Sequence, residues 1–468
     1  MTHPSTVLSN RTYDQLRSGD SASLTRSVGE DDIKLFAAVS GDANPAHLDP
    51  AFAEQGIFGH VIMHGMWTAA LVSAVLGTRL PGPGTIYLGQ EIRFLRPVNP
   101  GDTVTATVRV LEKHDHNQRV TLETICTNQD GKEVLSGIAT VKAPDQPVNW
   151  PMSPLPEVSV RRPGRYAAYV EEACALPPVP AGIVHPCSGV ALKTALEVRD
   201  KGLVEPLLIG PEDKIRAVAE AEGLSLDGLE IEPVAHSHAA AARAVELAAS
   251  GRVSMLVNGF GHSEELLNAV AAPGSGLRTE RQISHVYVMD VPTYDKLVVV
   301  TDAAVNIQPS LEDKRDIAQN AIDMLRMLGV EDPKVAVLAA VETVNPRMPA
   351  TLDAAALTAM AARGQITGAR VDGPLAFDNA INAAAAATKG IVSPVAGHAD
   401  ILLVPDLEAG NMLAKQLIYF GNAAAAGLVL GARVPIVLTS RADSLSVQIA
   451  SAALARLGVA RKPLMPGL

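Results

Sequence analysis

Aromatic side chains are scarce, at 3% of 468 residues, with seven Phe, seven Tyr and two Trp. Cores without rings must be assembled from Ala, Val, Leu and Ile, as is ordinary in alanine-rich α/β proteins. Cysteine is scarcer still. Cys126, Cys174 and Cys187 are odd in number and lack paired metal-ligand spacing, which speaks against a disulfide framework or a zinc site and fits a reducing compartment. Basic residues are in deficit, 39 Lys and Arg against 50 Asp and Glu, for a formal charge of -11. That balance argues against a surface made to hold nucleic acid or anionic lipid, so an anionic ligand needs a local basic pocket. No charge-free run is long enough to cross a bilayer, and Met1 to Asn10 is polar where a signal peptide needs an apolar core. The expectation is a soluble, cytoplasmic chain. No Walker loop occurs, and the Gly-x-Gly at Gly259 to Gly261 lacks the third glycine of a dinucleotide fingerprint.

The length exceeds what one hydrophobic core usually serves, so two or three domains are expected. Between Ala143 and Gly164 repeated prolines remove backbone donors and interrupt periodicity, which marks a linker over 143–164 between a domain at 1–142 and another at 165–468. Before it, the apolar stretch Gly59 to Leu80 precedes four alternating runs: Thr85 to Phe94, Asp102 to Glu112, Arg119 to Asn128 and Lys132 to Lys142. Asp130-Gly131 supplies a hairpin turn, and a buried helix wrapped by an antiparallel sheet is the natural packing. After the linker, β-branched runs alternate with Ala-rich stretches. These are Leu203 to Ile209, Val253 to Asn258, Ser284 to Met289, Leu297 to Thr301, Lys334 to Val341, Asp400 to Pro405 and Arg433 to Thr439. The alternation predicts parallel strands with helical crossovers in two α/β lobes flanking a ligand cleft.

The segment FAAVSGDANPAHLD, Phe36 to Asp49, places Asp42 and His47 around Pro45. A carboxylate and an imidazole converging on a turn can hold one water and move its proton, although the same residues serve as ordinary caps and turn formers. With FGHVIMHGM, Phe58 to Met66, this segment resembles the hydratase-2 motif and central-helix start of the MaoC family over about the first 140 residues. The resemblance implies an α+β hot-dog fold that hydrates an enoyl thioester to its 3-hydroxy form. Asp42 and His47 would activate the water, Asn44 would orient them, and the Gly65 amide would stabilise the enolate oxygen. Ala46 departs from the family's larger aliphatic residue.

Four later segments, TDAAVNIQPSLEDKRDIAQNAI from Thr301, VDGPLAFDNAI from Val371, GHADILLVPDLEAGNMLAK from Gly397 and VPIVLTSRADS from Val434, together resemble the phosphate acetyl/butyryltransferase family, on its butyryl-type branch. The resemblance covers about Tyr166 to the C-terminus and implies exchange of an acyl group between phosphate and the coenzyme A thiol. It assigns Ser440 to the tetrahedral centre and Arg441 to the phosphate, where a planar guanidinium outperforms an ammonium. Ser440 and Thr439 could equally cap the following helix. The acid that the acetyl-specific branch carries seven positions beyond that Ser is here Val447, which leaves Asp443 as the nearest candidate base beside a plain helix-terminal role. Asp302, Asn306, Asp372, Gly373 and Asp378 fall in the family's other signature loops. Arg278 and Arg281 could meet coenzyme A phosphates, or form a solvated basic patch. His185, His262 and His285 are not spaced as a metal set.

Both halves would therefore share acyl-coenzyme A thioesters, with phosphate and acyl phosphate as further substrates. Coenzyme A enters as a substrate, and no permanently bound cofactor or metal is implied. Pairing of hot-dog units predicts a homo-oligomer. The alternative is that one half is a non-catalytic thioester-binding or oligomerisation module.

Overall fold

The computed structural model describes residues 7–152, 158, 164–259, 263–439 and 443–461. The chain divides into two compact units, Met1–Arg161 and Arg162–Leu468.

In the first unit the strands are β1 (Val7–Ser9), β2 (Ser21–Ser27), β3 (Ile86–Phe94), β4 (Thr103–His114), β5 (Arg119–Thr127), β6 (Glu133–Lys142) and β7 (Asn149–Pro151). Five of them form an antiparallel sheet in the order β2-β4-β5-β6-β3. Alternation decides which face is buried: Val104, Ala106, Val108 and Val110 of β4, with Val120, Leu122 and Cys126 of β5, are at most 1% exposed. The β5–β6 turn is held by Asn128, whose Oδ1 accepts from the amides of Asp130 and Lys132, while Gly131 takes a φ of 73°. Among the described residues the unit also has four α-helices, α1 (Glu30–Ser40), α2 (Pro45–Leu48), α3 (Pro50–Glu54) and α4 (Gly65–Thr78), besides two short 3-10 turns. Trp67, Leu71, Val72, Val75 and Leu76 of α4 enter the same core, as expected of a helix with little polar surface. This is the expected hot-dog arrangement, although only Gly65–Thr78 of the apolar stretch is helical. The unit also reaches beyond Lys142, because β7 pairs antiparallel with β1, and Asn10 Oδ1 accepts from the Val148 amide at 2.8 Å.

In the second unit eleven strands form one sheet: β8 (Val179–Val184), β9 (Val204–Gly210), β10 (Glu230–Pro233), β11 (Met255–Asn258), β12 (Ser284–Asp290), β13 (Val298–Thr301), β14 (Lys334–Leu338), β15 (Arg370–Leu375), β16 (Ile401–Leu403), β17 (Ala424–Leu430) and β18 (Ile436–Val437). Their order is β10-β9-β8-β11-β18-β17-β12-β13-β16-β14-β15. The strands are not all parallel, which corrects the sequence expectation. β17 runs antiparallel to both β18 and β12, and β12 antiparallel to β13. The β12–β13 and β17–β18 connections are too short for a helical crossover, which forces hairpins. β17 is spelled AAAGLVL, an Ala-rich run that reads as helix until tertiary packing claims it. One sheet face packs helices including Gly189–Asp200, Leu311–Met327 and Leu445–Arg461. The other divides into two apolar clusters, around helix Ser237–Ala249 and around helix Leu407–Tyr419.

Two candidate active sites

α1 ends at Gly41, whose φ of 77° lets its amide return to the Ala37 carbonyl. That turn delivers Asp42. Two residues on, Asn44 caps α2 by accepting from the Ala46 amide at 3.1 Å, Pro45 occupies the first helical position, and His47 lies in this single turn. The Asn44 backbone amide donates to Asp42 Oδ1 at 3.3 Å. Asn44 thus engages the pair through its backbone, while its side chain holds the turn that carries His47.

His47 Nδ1 lies 2.8 Å from the Ile62 carbonyl, which can only accept, so Nδ1 carries the proton and Nε2 keeps its lone pair. His64, unassigned by the sequence reading, joins them. It is 1% exposed, its Nε2 donates to the Asp42 carbonyl at 3.1 Å, and its Nδ1 is buried without a hydrogen-bond partner. Its ring lies against His47 with centroids 3.9 Å apart and planes inclined by 31°. One polar atom from each of Asp42, His47 and His64 falls within 4.8 Å of the others. The residue after His64 is Gly65, which opens α4, so the unpaired amides of that helix start beside the cluster. A carboxylate, an unprotonated imidazole nitrogen and a helix N-terminus together can deprotonate a water and stabilise an oxyanion. The sequence signal for His64 was its place immediately before the helix start, within the His-Gly of the quoted motif.

In the second unit Asp302, 2% exposed, follows β13. Its Oδ1 accepts from the amides of Ala304 and Val305 at 2.9 and 3.0 Å, and its Oδ2 accepts from both nitrogens of Asn306. Asn306 Nδ2 also donates to the Ile283 carbonyl, and Gln282 Nε2 donates to Asn306 Oδ1. Asp302 and Asn306 therefore build a loop, and Ala304 and Val305 of that loop wall a cleft of about 790 Å³. Exposed Arg278 lines the same cleft, as does Arg281, whose guanidinium is paired with Asp323. An ion pair leaves Arg281 a weaker anion ligand than Arg278.

The residues lining this cleft do not include Asp372, Gly373 or Asp378. Asp372 and Gly373 lie in β15, where a Cβ on Gly373 would stand 2.7 Å from the Val337 carbonyl, so the glycine permits close strand packing. Asp378 is exposed and lies 3.4 Å from Lys389. Ser440 and Arg441 lie outside the described residues, as does His262. Asp443 is part-exposed, and its carbonyl accepts from Gln448 Nε2 at 3.0 Å. Val447 is buried in helix Leu445–Arg461.

His285 lies on β12, in the core of the second sheet. It is 1% exposed, neither ring nitrogen has a hydrogen-bond partner, and its ring meets Tyr287 edge-on at 4.4 Å. Burial lowers the imidazole below its ordinary pKa, against the opposing pull of the Asp302 carboxylate.

A family model described as Phosphate acetyl/butaryl transferase matches residues 235–456, and one described as MaoC like domain matches residues 14–130. A phosphate acetyltransferase of Rhizobium meliloti is 56% identical over 301 residues, which span 64% of this chain and 95% of that protein. A branched-chain phosphotransacylase from Enterococcus faecalis V583 is 29% identical, with a TM-score of 0.53 over 60% of this chain and 99% of its own. The R-hydratase PhaJ1 from Pseudomonas aeruginosa is 46% identical, covering 33% of this chain and 99% of its own, with a TM-score of 0.32.

Proposed function

Because the chain belongs to the phosphate acetyl/butyryltransferase family and carries a MaoC-like domain ahead of that unit, we propose that it is a bifunctional acyl-coenzyme A enzyme. The first unit hydrates an enoyl thioester to the 3-hydroxy thioester. The second exchanges a short acyl group between coenzyme A and phosphate. The observation that carries the first activity is the convergence of Asp42, His47 and the Gly65 helix start. A water loses a proton to the Asp42/His47 pair as its oxygen bonds the β-carbon. The π electrons move to the thioester oxygen, facing the amides of α4, and the pair returns a proton to the α-carbon.

In the second unit the coenzyme A thiol gives up its proton to a base, for which Asp443 is the nearest candidate, the thiolate attacks the carbonyl of an acyl phosphate, and the C–O bond to phosphate breaks. Phosphate leaves with the electron pair, held by Arg441. Arg278 in its cleft binds the phosphates of coenzyme A. The acyl group is acetyl to butyryl in size: the sequence resembles the butyryl-type branch, while the Rhizobium relative bears the acetyl name.

No helix among the described residues is long and apolar enough to cross a membrane. Three free cysteines support a reducing, cytoplasmic setting. β3 closes one edge of its sheet and exposes Ile86, Leu88 and Phe94, which supports pairing of two copies along that edge.

The deciding experiment assays the purified chain for crotonyl-type thioester hydration and, separately, for phosphate-dependent thioester cleavage. Asp42→Asn and His47→Ala should lower hydration about a hundredfold to ten-thousandfold and leave acyl transfer unchanged. Hydration near the wild-type rate in either variant would remove the first assignment.

A further inference from the structure

His64 touches both members of the hydration pair, yet a direct part in the reaction is closed to it. Its ring is 1% exposed, Nε2–H is committed to the Asp42 carbonyl, and Nδ1 has no partner. A buried polar atom left unpaired is rare, and here it constrains the protonation state. Nδ1 has no acceptor within hydrogen-bond distance among the described residues, whereas Nε2 has one, so the ring proton belongs on Nε2. The titratable groups facing His64 are Asp42, on the loop after α1, and His47 of α2. Phe36 of α1 faces it as well, with ring centroids 5.2 Å apart.

We propose that His64 is a positioning residue for hydration, anchoring the Asp42 backbone through its Nε2–H and holding a neutral aromatic face against His47. This rests on reading the first unit as a hydratase. The anchor limits where the Asp42 carboxylate can swing, and the ring face favours the cationic state His47 passes through when its Nε2 takes up a proton. A cation is favoured over a neutral aromatic face at this separation. Neither contribution needs His64 to exchange a proton with substrate.

Two substitutions separate the two parts. His64→Gln retains a donor for the Asp42 carbonyl and removes the ring, whereas His64→Phe retains a ring and removes the donor. Histidine ¹⁵N spectra of the full chain, recorded without substrate, should show His64 with its proton on Nε2. In His64→Gln, kcat for hydration should fall about threefold with little change in KM, because the ring face is lost while the anchor stays. In His64→Phe, kcat for hydration should drop about tenfold or more with little change in KM, because the anchor is lost. The unfolding transition of the first unit, followed by calorimetry, reports that each variant is folded. The idea is overturned if His64 carries its proton on Nδ1. It is also overturned if both variants keep the wild-type kcat. Absence of hydration in the wild-type chain would instead remove the hydratase reading, and the spectra would still decide the state of His64.

Discussion

Gly65 faces the ring of Phe94: a Cβ built on it would stand 3.0 to 3.2 Å from three ring atoms. The first residue of α4 can therefore carry no side chain unless Phe94 or the helix start moves, and the helix start is where the enolate oxygen must be met. Gly65→Ala should lower kcat for hydration by about 10² and leave acyl transfer intact. Adding Phe94→Leu should recover part of the loss by restoring room for the methyl group. Steady-state kinetics on the single and double variants measure both effects, and a silent Gly65→Ala would show that the helix start is not so confined.

Phe94 lies on β3, whose outer edge has no neighbouring strand among the described residues. A double Ile86→Lys, Leu88→Lys variant should weaken pairing of first units, because charges on an edge strand oppose strand addition. Light scattering across a dilution series should give a smaller assembly for the variant than for the wild type. An unchanged mass would place the first-unit interface elsewhere.

Asp302 makes a stability prediction. Its carboxylate accepts from three backbone amides and from the Asn306 side chain while almost wholly buried. Asp302→Ala strands those donors, at a cost on the order of 3 kcal/mol or more. Calorimetry should show an earlier unfolding transition accompanied by loss of acyl transfer, with hydration surviving to its wild-type temperature. A transition at the wild-type temperature would mean that solvent replaces the carboxylate without penalty.

Arg441 tests the phosphate chemistry. Arg441→Lys keeps the charge but loses the guanidinium fork that meets two phosphate oxygens at once. Turnover of acyl phosphate should fall sharply while coenzyme A affinity holds, as read by varying the two substrates independently. An exposed arginine would instead give a nearly silent change, since surface pairs contribute about 0 to 1 kcal/mol.

Periodicity and turn chemistry carried most of the first unit. The strand alternation in β3 to β6, the Asp130-Gly131 turn and the apolar stretch Gly59 to Leu80 were readable from pattern, while the helix start at Gly65 came from the resemblance to the MaoC family. The antiparallel strands β12 and β17 were not. Their residues resemble those of the parallel strands or of helices, and direction is settled by connection length and neighbours. Asp42 and His47 were singled out through the resemblance of their segment to the hydratase-2 motif, and the turn that brings them together is local in sequence. His64 and His285 were not, since the import of a buried, unpartnered nitrogen emerges only when the chain is folded. Arg281 was visible as a cation, but its pairing with Asp323 was not.

The hairpins in the middle of the second sheet also set compass headings. β8, β9, β10, β11 and β18 point one way, and β13, β14, β15 and β16 point the other, with β17 and β12 turning the chain between them. The two blocks nevertheless end at one level, because Val437 pairs with Leu428, Leu428 with Val286 and Val286 with Thr301. The loop of Asp302 and the Leu438–Thr439 segment therefore leave their strands in opposite senses from the middle of the sheet, with only β12 and β17 between them. Three strand spacings, about 14 Å, part the two exits. A molecule reaching from one to the other would lie across the strands rather than along them.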